Sequence, residues 1–279
     1  MILRLGYTES TLFLCFFLKN IINQKLNKHF EDTEKNMINW LYSTSGFYDK
    51  SIEGDYFNFN YKACVNSFIY NEYMKKMYTS IINSKKVIIC FHGNKDKDDY
   101  SLSSKQKFLE FFKDKTQVVM YSQRQEDFFN FISEKKLLII NPISSLMKKQ
   151  YDNNNCKNIY PNFPSLKSIY YYENPYTFCN NGSNNNILET SEKIFDEIKN
   201  LNYDYNSVII SCGAYSNLLA NLIYMNLNKD VFVIGGSLAS YFGIKTGRNK
   251  LDNHHDYCIS VPEEMKPINY LKIENGCYW

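Results

Sequence analysis

The chain has 279 residues, of which 44% are hydrophobic and 22% charged, and its formal net charge is +3. That length admits one large domain or two small ones with a sizeable core, and the composition excludes wholesale disorder. The charge is too small to argue for nucleic acid or an anionic membrane as a partner.

The chain opens on Ile2–Leu5, a short apolar run that reads as a strand and leads into Gly6, Tyr7, Thr8 and Glu9. Arg4 lies inside that run, and a buried arginine needs a partner, for which Glu9 is a candidate. Glu9 also suits plain charge compensation in the first turn of a helix. Leu12 to Leu18 is apolar, but Arg4, Glu9 and Lys19 interrupt the region and no small-residue cleavage site follows. The run is also too short to span a bilayer. A buried first helix over Ser10–Asn27 is therefore expected, with no signal peptide and no transmembrane segment. Phe30–Asn60 is aromatic and weakly periodic, and is expected to form a helical or irregular insertion, at about 30–60, near the sheet edge.

A helical pattern over Tyr61–Asn83 leads to a second strand, Val87–Cys90, followed by His92 and Asn94. Helix Lys105–Lys113, strand Val118–Tyr121, helix Gln125–Ser133 and strand Leu137–Ile140 come next. Asn141 then precedes Pro142, and Ser144 and Ser145 open a helix over Ser144–Tyr151. Asn141 reads as a turn residue and the two serines as helix caps; all three also offer polar groups to a phosphate. Asp152–Asn158 and Asn180–Asn186 are rich in Asn and read as surface loops. Strand Ile169–Tyr172 and helix Leu188–Leu201 precede the most ordered stretch of the sequence.

That stretch is Val208–Cys212, a helix over Asn217–Asn226, and Val231–Ile234. Strand, helix and strand in about 30 residues form one parallel crossover unit. Gly213 sits where the strand turns into the helix. Ser216 or Asn217 can cap that helix and leave backbone N–H groups pointing outward, which suits an anion such as phosphate. A plain strand-to-helix turn accounts for the glycine equally well. No complete G-x-G-x-x-G is present, so a dinucleotide fingerprint is not supported. After the last strand, Lys245 and Arg248 lie in a glycine-rich loop, where they either bind a diphosphate or stand solvated. His254 and His255 read as surface residues. The chain has eight cysteines and no C-x-x-C pair, so buried free thiols in a reducing, cytoplasmic compartment are expected.

Strands alternating with helices imply an α/β protein, a Rossmann-like three-layer fold with a mainly parallel sheet, in one domain over residues 1–279. In such sheets ligands collect at the carboxyl ends of the strands. That rule nominates Gly6, Glu9, Asn141, Ser144, Ser145, Gly213, Ser216, Asn217, Lys245 and Arg248, and of these Glu9, Asn141, Ser216 and Arg248 should converge on one cleft.

Two stretches, "LRLGYTES" at the start and "VIISCGAYSNLLANLIYMNLNKDVFVIGG" near the end, resemble the two ends of GT-D-type glycosyltransferases. "LLIINPISSLMKKQY", "FGIKTGR" and "ENGCYW" further resemble a group of bacterial and giant-virus proteins with the same framework. The similarity covers most of the chain. It implies a GT-D-like fold, a nucleotide-sugar donor and a glycan or protein acceptor, in the cytoplasm, or the host cytoplasm for a viral protein. The family turn after the first strand carries an acidic pair that serves a metal and the sugar nucleotide. Arg4, Gly6 and Glu9 match that turn, which makes Glu9 the implied catalytic and metal-binding residue. Tyr7 stands where the family has its first acidic residue. A lone carboxylate holds Mn2+ or Mg2+ less well than a pair does. Tyr7 therefore keeps open a binding protein that has lost the chemistry, and a nucleotide hydrolase is a further alternative. The aromatic stretch Tyr42–Tyr61, including Ser45-Gly46-Phe47, either stacks on a sugar ring or packs.

Overall fold

Seven short apolar runs become strands: β1 Ile2–Leu5, β2 Lys86–Ile89, β3 Gln117–Met120, β4 Lys136–Ile140, β5 Ser168–Tyr172, β6 Ser207–Ile210 and β7 Asp230–Val233. The computed structural model describes residues 1–26, 28–43, 45–52, 60–89, 99–120, 124–177, 183–247, 256–268, 270–272 and 274–279. The strands join one sheet in the order β3-β2-β1-β7-β6-β4-β5, and every pairing is parallel. The fold is α/β with helices on both faces, as the alternation of strands and helices implied. β1 and β6 are interior strands, flanked on both sides, which their largely apolar character requires.

The two-residue period of the strands divides the core. Leu3, Leu5, Val208 and Ile210 face one layer with Phe13 of α1 (Tyr7–Phe16), Met74 of α4 (Phe68–Ile82) and Leu219 of α10 (Tyr215–Leu227). Ile88, Ile139, Ile209 and Phe232 face the other, with Phe128 of α6 (Arg124–Ile132) and Met147 of α7 (Ser144–Asp152). Each strand is thus covered on both sides, which is why its sequence is nearly continuous in apolar residues.

Several helices differ from expectation for local reasons. The first begins at Tyr7, three residues early, and passes into a π-helical turn over Phe17–Ile21. The pattern over Tyr61–Asn83 is broken at Ser67, whose backbone is extended and whose hydroxyl accepts from Tyr70 N, so it starts a new helix after α3 (Tyr61–Asn66). The Asn-rich stretch 152–158 is not all loop: Asn154 takes a φ of 60° and opens the short helix α8 (Asn155–Ile159). The described part of the 30–60 insertion is the helix α2 (Lys28–Ser43), packed on α1, and the strap 45–52. That strap bonds the turn after the interior strand β6 through Ser45 and the connection after the edge strand β5 through Tyr48 and Lys50. Among the described residues no helix is long and apolar enough to cross a membrane.

Asn186 caps α9 (Ile187–Lys199) by accepting from Leu188 N at 2.9 Å and Glu189 N at 3.0 Å. Asn186→Ala should lower stability by about 1 kcal/mol, the usual loss for an N-cap. Denaturant unfolding checks this, and an unchanged midpoint would refute it.

Candidate active-site cleft

A cleft of about 300 Å3 opens at the carboxyl ends of β1, β4, β5, β6 and β7. Of the residues nominated from the sequence, Arg4, Gly6, Glu9, Asn141, Gly213, Ser216 and Asn217 line it. The sheet order explains the location. β6→β7 and β1→β2→β3 step across the sheet in one direction and β4→β5 in the other, so the crossovers diverge between β6 and β4, whose following turns both line the cleft.

Glu9 lies in the first turn of α1, is 8% exposed, and lays its carboxylate back over Gly6. A Cβ on Gly6 would overlap Glu9 Oε2, so glycine there makes the room. Burial pushes the Glu9 carboxyl above its ordinary value; its own backbone amide and the charge of Arg4 pull it part of the way back. The α1 N-terminus has no side-chain cap. On β1, the Arg4 guanidinium lies across Gly235, where a Cβ would overlap Nη1. Gly6 and Gly235 thus make room for the Glu9 carboxyl and the Arg4 guanidinium, whose charge Glu9 feels.

The β6–α10 turn differs from the anion cradle its sequence suggested. Gly213 has a φ of 60°, and the corner beside it is filled by the carbonyl of Ser45, which accepts from Ala214 N at 2.7 Å. Ser216 does not cap outward: its hydroxyl accepts from Cys212 N at 2.9 Å, inside the turn. Asn217 is 2% exposed, sits beside the Tyr73 hydroxyl, and has no hydrogen-bond partner at Oδ1. Asn141 spends both ends of its amide on the scaffold, donating to Ser211 O and accepting from Ile143 N at 2.9 Å. It ties the ends of β4 and β6 together, and the turn reading holds for it.

The other nominated residues stand apart. Ser144 is fully buried, and Ser145 bonds Glu173 through both its N–H and its hydroxyl; neither lines the cleft. Neither caps α7, whose N-cap is Ile143 with no side-chain bond. Lys245 lies in a short strand, β8 (Ile244–Lys245), and the next residue, Thr246, reaches the wall instead. Arg248, His92, Asn94, His254 and His255 lie outside the described residues.

The rest of the wall was not foreseen. Trp40 from α2 meets Tyr7 edge to face, with centroids 6.3 Å apart at 82°. Asn174, Pro175, Tyr176 and Thr177 come after β5, and Trp279 donates through Nε1 to the Tyr176 hydroxyl at 2.9 Å. The strand-end rule, applied to β5, points at Asn174. No local signal separates Trp40 or Tyr176 from core aromatics in a chain with 24 Tyr and 20 Phe. Tyr42, Phe47 and Tyr48 of the aromatic stretch are buried and pack.

Among the described residues no group of three or more His, Cys, Asp or Glu side chains can hold a metal ion. The described wall offers one side-chain carboxylate, Glu9, and burial favours its neutral form. That donor set does not fit Mn2+ or Mg2+, which take ionised carboxylate and phosphate oxygens. No protein-family model, curated protein or solved structure matches the chain.

Proposed function

We propose that the cleft binds a nucleotide sugar and transfers its glycosyl group to an acceptor hydroxyl. The carrying observation is a buried Glu9 carboxyl that feels the charge of Arg4, both lining an aromatic-walled cleft at the carboxyl end of β1. Arg4 and the uncapped amide end of α1 supply positive potential for a diphosphate. The neighbouring rings, Trp40 and Tyr7, offer apolar surface to a base or sugar face. About 300 Å3 lies at the small end of ligand sites and suits a sugar with its phosphates.

In the transfer, the acceptor oxygen bonds to the anomeric carbon while the bond from that carbon to the diphosphate oxygen breaks. The bonding pair leaves with the nucleoside diphosphate, whose growing charge Arg4 offsets. The acceptor's proton passes to the Glu9 carboxylate. Because burial raises the Glu9 value, the base form is reached only as pH rises through that raised value.

Tyr7, at the position of a carboxylate in the resembling family, favours a second reading: a nucleotide-sugar binder without turnover. Calorimetric titration with a panel of nucleoside diphosphate sugars, with and without Mn2+, paired with an assay for released nucleoside diphosphate, decides. The transferase reading expects binding without added metal and release that rises with an acceptor. Binding with no release supports the binder. Turnover of plain nucleotides supports a hydrolase, and absence of any binding sinks both the transferase and the binder.

A further inference from the structure

We infer that a second copy of this chain pairs antiparallel with the edge strand β5, about a two-fold axis at Tyr170, so that one sheet runs through both copies. This association goes beyond the transferase reading and does not depend on it.

β5 ends the sheet, with β4 on one side and no strand on the other. Its sequence, Ser-Ile-Tyr-Tyr-Tyr, is of the β-branched and aromatic kind that suits strands. It has no proline, no charged residue and no bulge, the devices that ordinarily keep sheet edges apart. The Asn141 N–H donates to Tyr172 O, so the even-numbered residues of β5 turn their backbone groups toward β4. Ile169 and Tyr171 therefore turn theirs outward, and among the described residues no segment beyond the sheet bonds their backbone.

These two residues match each other across a two-fold axis. With Tyr170 opposite Tyr170, Ile169 of each copy faces Tyr171 of the other, and both pairs exchange N–H and C=O bonds. The same register sets Lys167 of each copy opposite Glu173 of the other, and no other self-pairing register does so. Lys167 and Glu173 stand immediately before and after the strand, and both are exposed. Glu173 spends Oε1 on Ser145, which leaves Oε2 to face an ammonium. The side chains agree with the charges. Ile169 packs in the layer of Met147, while Tyr171, on the same face, keeps 40% of its surface exposed. Across the axis each Tyr171 ring lies beside Ile169 of the second copy, a favourable aromatic and β-branched pair. On the other face Tyr170, stacked on Tyr203 with centroids 4.8 Å apart, meets its own counterpart. A foreign peptide could satisfy the same backbone groups. The strand's own copy also brings a lysine to Glu173 and a carboxylate to Lys167, which favours self-association.

Sedimentation velocity of the full chain at low salt, from low to high micromolar protein, tests the pairing. The parent should pass from monomer to dimer with concentration, and added salt should weaken the dimer. Lys167→Glu and Glu173→Lys each place like charges face to face at both ends of the interface, and each should weaken association by about tenfold or more. Mixed together, the two variants restore both attractive pairs and should form a heterodimer about as tight as the parent dimer. Melting curves confirm that each variant is folded. Amide hydrogen exchange reads the parent without any substitution: the Ile169 and Tyr171 N–H groups should be slowed at high concentration and freed on dilution. A parent that stays monomeric, a charge variant that dimerises like the parent, a mixture of folded variants that stays monomeric, or exchange at Ile169 and Tyr171 that ignores concentration overturns the inference.

Discussion

Glu9→Gln should lower the rate of glycosyl transfer by about 10²- to 10⁴-fold, the range for loss of a general base. Nucleotide-sugar affinity should change little, because the amide fills the same space beneath Gly6 and Arg4 remains. The parent's rate should climb with pH through a point above the ordinary carboxylate value, since burial raises Glu9. The residual rate of the variant should lack that limb. Stability runs the opposite way. Below the ordinary value near 4.5, Glu9 is protonated in both folded and unfolded chains, and its burial is uncharged. As pH rises through that value the unfolded chain releases the proton and the folded one keeps it, so stability falls. The fall ends once pH passes the raised folded value. Glu9→Gln removes this component, so stability of the variant should fall less steeply than that of the parent as pH rises from the ordinary carboxylate value to the raised folded one. Parallel melting profiles together with a wild-type rate would remove Glu9 from the chemistry altogether.

The strands were readable because burial on both faces writes itself as a continuous run of Val, Ile and Leu. The start of β1 was placed at Ile2, and the other six were missed by one residue because the opening residue is polar. Lys86, Gln117, Lys136, Ser168, Ser207 and Asp230 each open a strand, and all but the buried Ser207 keep some exposure. Lys86 bonds Asp127 there, and Lys135, next to β4, bonds Asp230. The break at Ser67 was invisible because apolar spacing continues through it, with Cys64 before and Tyr70 and Tyr73 after. In the cleft, residues directly after a strand could be placed by the strand-end rule: Gly6, Glu9, Asn141, Gly213 and Asn217 all arrive. Residues that arrive from elsewhere could not. Trp40 comes from a helix, and Trp279 is brought in by its bond to Tyr176 across 103 positions of sequence. Ser45 shows the same limit in reverse. A residue remote in sequence occupies the corner that, in the local sequence, looked empty.

Gly213→Val should therefore damage the fold itself. At a φ of 60°, a residue with a Cβ is strained, and a β-branched one more so; such strain is worth on the order of 1–3 kcal/mol. The added Cβ also overlaps the Ser45 carbonyl oxygen and stands 3.2 Å from its carbon. Both neighbours are backbone, so neither swings aside as a side chain would. Overpacking of this kind adds about 1–3 kcal/mol. The sum, roughly 2–6 kcal/mol, is a large part of the 5–15 kcal/mol that ordinarily separates folded from unfolded chains. Relief requires pushing Ser45 away, which breaks the Ala214 N–H bond to its carbonyl. Gly46, the next residue, holds the Thr177 hydroxyl at 2.8 Å, so the displacement reaches the connection that carries Tyr176. Gly213→Ala shares the backbone strain and the first overlap, and should show most of the loss; valine should add the remainder. Denaturant unfolding of the parent and both variants, without ligand, measures it. If the corner were an open anion cradle, either variant would keep near-parental stability and lose nucleotide affinity instead. A loss below about 1 kcal/mol for Gly213→Val would mean that the Ser45 strap does not hold this turn.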